Sequence, residues 1–337
     1  MMRMIAAFKK ARFSLWYLIG FFLVLLGNFS LAISDFDRGN ALQKVLTTRF
    51  DDSGNLSWKL RADEITPKGN SLYLVENPVL QTIHANGNIT EANTSRGFFD
   101  LDEGKAEGPA LMVVRGNGFG MSGIDWVWQQ KSGRDGHRML FRKDGELSLQ
   151  SIKSKSLASF NLDKENGFPH SNTKKQEKTV STSAEADFIE LLSMESGGYR
   201  FSLKGNVSIE GEGVSIVCSN TQIFFLFDAN SSSAVKIGRI REIQAEGAVT
   251  LKQSGRICQA DKLNLDPIQG VVLLEGSARV EDDAWGSAVG EKILLEKETG
   301  KVQILKSGNS RPRLTFPSLD LDKLKFPFAP KKKPDSK

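Results

Sequence analysis

Few stretches of this 337-residue chain have residue types and spacings that could do chemistry. The segment GFGMSG, Gly118–Gly123, satisfies G-x-G-x-x-G. In a dinucleotide site those glycines sit between a strand and a helix N-terminus, so that backbone N–H groups meet a pyrophosphate. Here IDWVWQQ follows and alternates like a strand, so the spacing is a coincidence. Ser122 is followed directly by Gly123, so the nucleophile elbow G-x-S-x-G is absent as well. His84, His137 and His170 lie far apart in sequence, share no metal-ligand spacing, and each reads as a surface or loop histidine. Carboxylates are plentiful, including Asp282–Asp283 and Glu296/Glu298, but strands with a polar face expose acids routinely and no pair is marked out. Cys218 and Cys258 are too few for a disulfide framework and read as small core residues, although an exported chain would permit a bridge. Trp126 and Trp128, two apart, share one strand face, either as a core platform or as a lipid or sugar contact. No catalytic residue, metal or cofactor is expected from these motifs.

The elements that would position any site alternate with period two. REIQAEGAVTLKQ sets Ile243, Ala245, Gly247, Val249 and Leu251 on one face, and FSLKGNVSIE and VLLEGSARVE repeat the pattern. Beyond the leader no amphipathic helix of three turns is found, so the chain is expected to be all-β. The stronger signal is repetition. ADKL (Ala260–Leu263), a turn at Gly270 and LEGSA (Leu274–Ala278) return as ADFI (Ala186–Ile189), Gly197–Gly198 and LKGNV (Leu203–Val207). They return again as ADEI (Ala62–Ile65), Gly69 and LVENPV (Leu74–Val79), and GEKI (Gly290–Ile293) with Gly300 closes the series. Gly205 to Gly213 and Gly247 to Gly255 share one eight-residue spacing, from strand centre to hairpin glycine. A short hairpin cannot bury its apolar face alone, so successive units should stack around a shared core. The small residues Ala62, Ala186, Ala260 and Gly290 are expected to let the chain turn tightly into the next strand, with Gly69, Gly198, Gly270 and Gly300 in the turns.

Charge is concentrated at the ends. Residues 1–12 carry +4 and residues 311–337 carry +5, so against a total of +5 the body carries −4. A basic footprint for nucleic acid is therefore missing where a fold would be. After the basic leader, Phe13–Ile33 is a nearly unbroken apolar run including Phe13, Trp16, Phe21 and Leu25. It is long enough to span a bilayer with the N-terminus cytoplasmic, as an inner-membrane anchor. Ser30–Ala32 also fits a small-x-small cleavage site, which would make the run a signal peptide. Either reading exports the remainder.

Composition then divides the chain into a signal anchor or signal peptide (1–33), a polar connector (34–50), a first β-repeat block (51–150), a lysine-rich linker (151–182), a second block (183–305) and a basic Pro-rich tail (306–337) read as disordered. The candidate site is the apolar face of the second block: Val207, Ile209, Phe225, Phe227, Val249, Leu251, Leu263, Leu265, Leu274 and Val280. Stacked strands can fill such an interior with side chains or leave a slot for an apolar ligand.

The repeats resemble the OstA-like family of lipopolysaccharide-transport proteins, whose periplasmic members form an open β-jellyroll. IQAEGAVTLKQSGRICQADKLNLDPIQGVVLLEGSARV and GSAVGEKILLEKETGKVQI carry the closest, LptA-type likeness. WKLRADEI, LVENPVL and AEGPALMV behind an apparent anchor are more similar to the membrane-anchored LptC type. The resemblance covers about two-thirds of the chain and is specific mainly through recurrence. It implies two stacked jellyroll blocks and a non-enzymatic role in which lipopolysaccharide acyl chains occupy a hydrophobic groove. Edge strands would dock neighbouring jellyroll proteins, and energy would come from an inner-membrane ABC transporter, since the chain has no phosphate-binding loop. The rival expectations are a cell-envelope scaffold or carbohydrate-binding protein with a dry core, and a secreted β-helical polysaccharide enzyme.

Overall fold

The computed structural model describes residues 41–51, 54–84, 87–130, 137–152, 179–194, 197–211, 213–227, 238–253, 255–297, 299–305 and 311–316. The expected anchor at 13–33 and most of the tail from 306 lie outside them. No helix among the described residues is long and apolar enough to cross a membrane.

The described residues are all-β, in one antiparallel sheet of 20 strands. The strands are β1 (Leu42–Phe50), β2 (Leu56–Pro67), β3 (Leu72–Glu76), β4 (Val79–Ile83), β5 (Ile89–Thr94), β6 (Arg96–Asp100) and β7 (Lys105–Gly108). Next come β8 (Met112–Gly116), β9 (Phe119–Gln130), β10 (His137–Ile152), β11 (Thr179–Ala186), β12 (Phe188–Met194), β13 (Gly198–Gly211) and β14 (Val214–Phe227). The last are β15 (Gly238–Gln253), β16 (Arg256–Asp266), β17 (Val271–Asp282), β18 (Gly286–Glu296), β19 (Val302–Leu305) and β20 (Arg313–Thr315).

The pairing register resolves this sheet into two leaves. β2 pairs through Arg61–Trp58 with β4 and through Glu64–Pro67 with β3, and β10 likewise divides its partners between β11 and β12. Long strands therefore begin in one leaf and end in the other, while β3/β4, β5/β6, β7/β8 and β11/β12 are rungs broken at the same place. The first leaf runs β1–β2–β3–β6–β7–β9–β10–β12–β13 and then β14 to β19 in chain order. The second runs β1–β2–β4–β5–β8–β9–β10–β11–β13, then β14 to β18, ending on β20.

The bend between leaves is a column of bulges. Register shifts fall at Lys143/Glu146, Lys204/Val207, Glu246/Val249 and Glu275/Ala278. At three of them two successive residues take left-handed backbone: Gly205–Asn206, Gly247–Ala248 and Gly276–Ser277. Such a pair inserts an extra residue, bends the strand and sharpens its twist. The repeated aspartate lies beneath it. Asn206 Nδ2 donates to Asp187 Oδ2 at 2.9 Å, Asn77 Nδ2 to Asp63 Oδ2 at 3.0 Å, and a Cβ on Gly276 would collide with Asp261.

This places the repeat elements differently from the expectation. Gly270 and Gly300 do sit at positive φ in turns, whereas Gly198 opens β13 and it is Gly197 before it that takes the left-handed turn conformation. Ala62, Ala186, Ala260 and Gly290 do not turn the chain into the next strand: they are mid-rung, opposite the bend, paired with Val45, Gly145, Val249 and Ala278. Where two leaves converge there is little depth between them, so only small residues fit the inner angle. The expected segment boundaries also shift. β1 occupies most of the connector 34–50, and 151–152 and 179–182 belong to β10 and β11, which pair with each other. The two blocks thus share one uninterrupted sheet, because β10 extends the first and templates the second.

A comparison of two left-handed glycines tests the bend. Gly276→Ala is expected to cost about 2–4 kcal/mol through the collision with Asp261, whereas Gly300→Ala, with nothing near its Cβ, should cost about 1 kcal/mol. In an Asp261→Gly background, which removes the Cβ, Cγ and Oδ2 that a Cβ at Gly276 would meet, the Gly276→Ala penalty should fall to the Gly300→Ala value in denaturant titrations. An unchanged penalty would refute the bracing role of Asp261.

Candidate functional site

All ten residues singled out on the apolar face point into the space between the leaves. Phe225, Phe227, Leu263, Leu265 and Leu274 come from the first leaf; Val207, Ile209, Val249, Leu251 and Val280 come from the second. Nine are buried and Phe227 is half-buried against the same cluster. Their neighbours follow from register: Leu263 lies between Ala245 and Leu274, and Cys258 between Leu251 and Val280. The interior is not confined to the second block. It continues through Phe141 and Leu147 of β10 to Trp126 and Trp128 of β9 and Leu60 of β2.

The leaves meet again at their free margins, opposite the bend. Phe119, at the start of β9 in the second leaf, packs edge-on against Tyr199 and Phe201 of the first, with ring centroids 4.7 and 5.4 Å apart. Phe225 and Phe227 extend this aromatic group. Gly238 stands where a Cβ would run into the Phe225 ring, so its missing side chain makes room for the cluster. Further along, Trp58 Nε1 donates to Gln130 Oε1 at 3.3 Å, and Arg49 Nη1 to the Leu101 carbonyl at 3.3 Å.

Between these contacts lies a polar group that sequence spacing did not reveal. His84 follows β4 and His137 opens β10, and their ring centroids are 4.9 Å apart. The reading of His137 as a surface or loop histidine is therefore overturned, since it is 2% exposed in β10, whereas His84 does lie in a loop, half-buried. Residues 53 positions apart in sequence meet because the end of β4 in the second leaf faces the start of β10 in the first. Tyr199 Oη lies 2.9 Å from both His84 Nε2 and Thr90 Oγ1, and Thr90 Oγ1 lies 3.1 Å from the same nitrogen. Ser193 Oγ is 3.5 Å from His84 Nδ1. Burial pushes the Tyr199 phenol up to about 12 despite its bond to Thr90. Burial, with the charge of His84, takes His137 down to about 3. His170 lies outside the described residues.

Trp126 and Trp128 are both core residues of β9, and their indole N–H groups, like Thr182 Oγ1, are buried without a hydrogen-bond partner. Among the described residues there is no cluster of three or more His, Cys, Asp or Glu that could hold a metal. Asp282 is a structural acid: burial works to raise its pKa, but the Arg256 guanidinium at 2.7 Å and the N–H groups of Ala284 and Trp285 outweigh it and hold the carboxyl below its usual value. Glu296 accepts from Thr299 and Gln303. GFGMSG runs from a turn into β9, with no helix behind it. Cys218 and Cys258 are buried free thiols, not a disulfide.

Set against known proteins, no family model matches this chain and no curated protein matches it.

Burial lifts the thiol of Cys218 to about 11 and that of Cys258 to about 12. Since the thiolate is the reactive form, native protein at pH 8 is expected to resist iodoacetamide at both positions and to be alkylated at both once unfolded. Mass spectrometry reads this directly, and rapid native modification of either would refute its inward placement.

Proposed function

We propose that the chain is a non-enzymatic lipid carrier of the cell envelope, an open β-jellyroll that holds acyl chains between its leaves. Lipopolysaccharide, or a lipid of the same amphiphilic build, is the ligand that the repeat resemblance favours. In this reading residues 13–33 anchor the protein in the inner membrane, with the jellyroll in the periplasm beside an ABC transporter that supplies energy. The lipid passes to other jellyroll proteins docked on the terminal strands.

One observation carries the reading: the apolar interior continues from rung to rung through the stack, and the stack ends in unpaired strands on both sides. β1 pairs only with β2, and β19 and β20 only with β18, among the described residues. Leu46 and Phe50 on β1, and Leu314 on β20 with Phe316 just after it, are exposed apolar side chains at those edges. An exposed apolar edge strand is a template for strand addition. Each methylene moved from water into the interior contributes about 0.8 kcal/mol, enough over several acyl chains to keep a lipid out of solution. The unpartnered indole N–H groups of Trp126 and Trp128 suit the carbonyl oxygens of acyl esters or amides. The complete burial of Ile209, Phe225 and Leu265 favours a second reading, a β-repeat scaffold or carbohydrate-binding protein with a filled, dry core.

Photocrosslinking in living cells separates the two. With the probe at Phe225, Val249 or Leu263, lipid adducts are expected, and none at Glu246 or Lys262, which ion-pair on the outer surface at 3.0 Å. Adducts at the three inner positions alone support the carrier. Their absence from folded, exported protein would overturn it in favour of the scaffold.

A further inference from the structure

The contacts that close the margin differ in kind from those that make the bend. The bend is covalent, with each long strand crossing it, whereas among the described residues the margin is held by side chains. Its centre is the group formed by His84 and Thr90 from the second leaf and His137, Ser193 and Tyr199 from the first. We infer that this group is a proton-sensitive latch, and that the leaves part along the margin when His137 becomes charged.

The geometry argues for a latch rather than a metal site. Both ring nitrogens of His84 face hydroxyls, Nε2 toward Tyr199 and Thr90 and Nδ1 toward Ser193, so neither nitrogen is turned to an open coordination position. His137 Nε2 is buried with no acceptor. Among the described residues, the pair faces Thr90 from β5, Ser193 from β12, Tyr199 from β13 and, beside His137 on β9, Gln130. Among the described residues none of these is a carboxylate, and His84 is the charge that acts on His137. A proton on His137 would therefore sit buried, away from water and opposite a second imidazole.

The sign follows from linkage. His137 in the closed form titrates at about 3, and once exposed to water it returns to an ordinary value near 6.5. Closure is fully favoured above pH 6.5 and is lost progressively as the pH falls from there toward 3. Each unit within that window shifts the balance toward the open form by up to about tenfold. The latch does not depend on what the interior carries, so its failure and that of the lipid-carrier reading are separate outcomes.

The test uses the full-length chain in detergent, spin-labelled at Ile89→Cys and Gln129→Cys, exposed positions near the margins of the second and first leaf. The native thiols are buried and largely protonated, so labelling is selective. Pulsed dipolar spectroscopy should give one narrow distance at pH 8 and a longer second population at pH 5. A pair within the first leaf, Gln222→Cys with Asn264→Cys, should not change. His137→Leu should keep the margin closed at pH 5, and His137→Phe, which retains a ring, checks the same point should the leucine variant not fold. An unchanged distance in the parent at pH 5 would overturn the latch. So would an equal shift in the His137 variants, or a change within the first leaf that marks general acid unfolding.

Discussion

The left-handed pair at the centre of the long strands is the constraint on which the rest depends. A strand that ran straight through would give a wide, flat sheet with both faces in water, and half its apolar residues would have nothing to cover them. Two residues at positive φ bend the strand and step the ladder by one residue, with Leu203 opposite Thr221 on one side and Val207 opposite Cys218 on the other. Because the bends stand in line on successive rungs, the sheet folds as a unit and its inner faces meet. The cost of left-handed backbone at Asn206, Ala248 and Ser277 is local, whereas the buried area it creates is shared by all neighbours.

From that constraint follows a division of labour across each rung. The bend is narrow and takes Ala or Gly, the middle is wide and takes Leu, Ile, Val and Phe, and the margin holds the rings and polar groups that join leaf to leaf. The outer face has its own order. Glu246, Lys262, Glu275 and Lys292 oppose one another on successive strands, an exposed series of cross-strand pairs each contributing at most about 1 kcal/mol. Specificity of pairing is the more important gain, since a one-residue slip would set like charges together and turn the apolar face outward.

Much of this was legible in the sequence, and what was not has a definite cause. Period-two alternation identified the strands and their inner face, because alternation is a property of a single strand. The spacing from Gly205 to Gly213 and from Gly247 to Gly255 marked the distance from bend to hairpin turn, and all four glycines have positive φ. The role of Ala62, Ala186 and Ala260 was not legible, since a small residue suits a turn and a sharp bend equally well. The joining of the two blocks was hidden by the lysine-rich stretch between them, whose composition says nothing of what its flanks pair with. The meeting of His84 with His137 and Tyr199 was beyond local reading altogether, because it depends on which strand ends of the two leaves come to face each other.

The order of strands in each leaf follows the order of the chain, apart from the rungs split at the bend. Almost every ladder is therefore made between segments that are close in sequence, and the few distant contacts, such as Thr90 with Tyr199, are side-chain contacts at the margin. A chain emerging lengthwise from a narrow exit would find, for each new hairpin, a completed edge already waiting. Assembly can proceed by accretion, one rung at a time, with little loop entropy to overcome at any step. The margin cannot join this progression, since its partners emerge far apart. Closure of the two leaves is thus set to be the last event of folding, and the first to be undone.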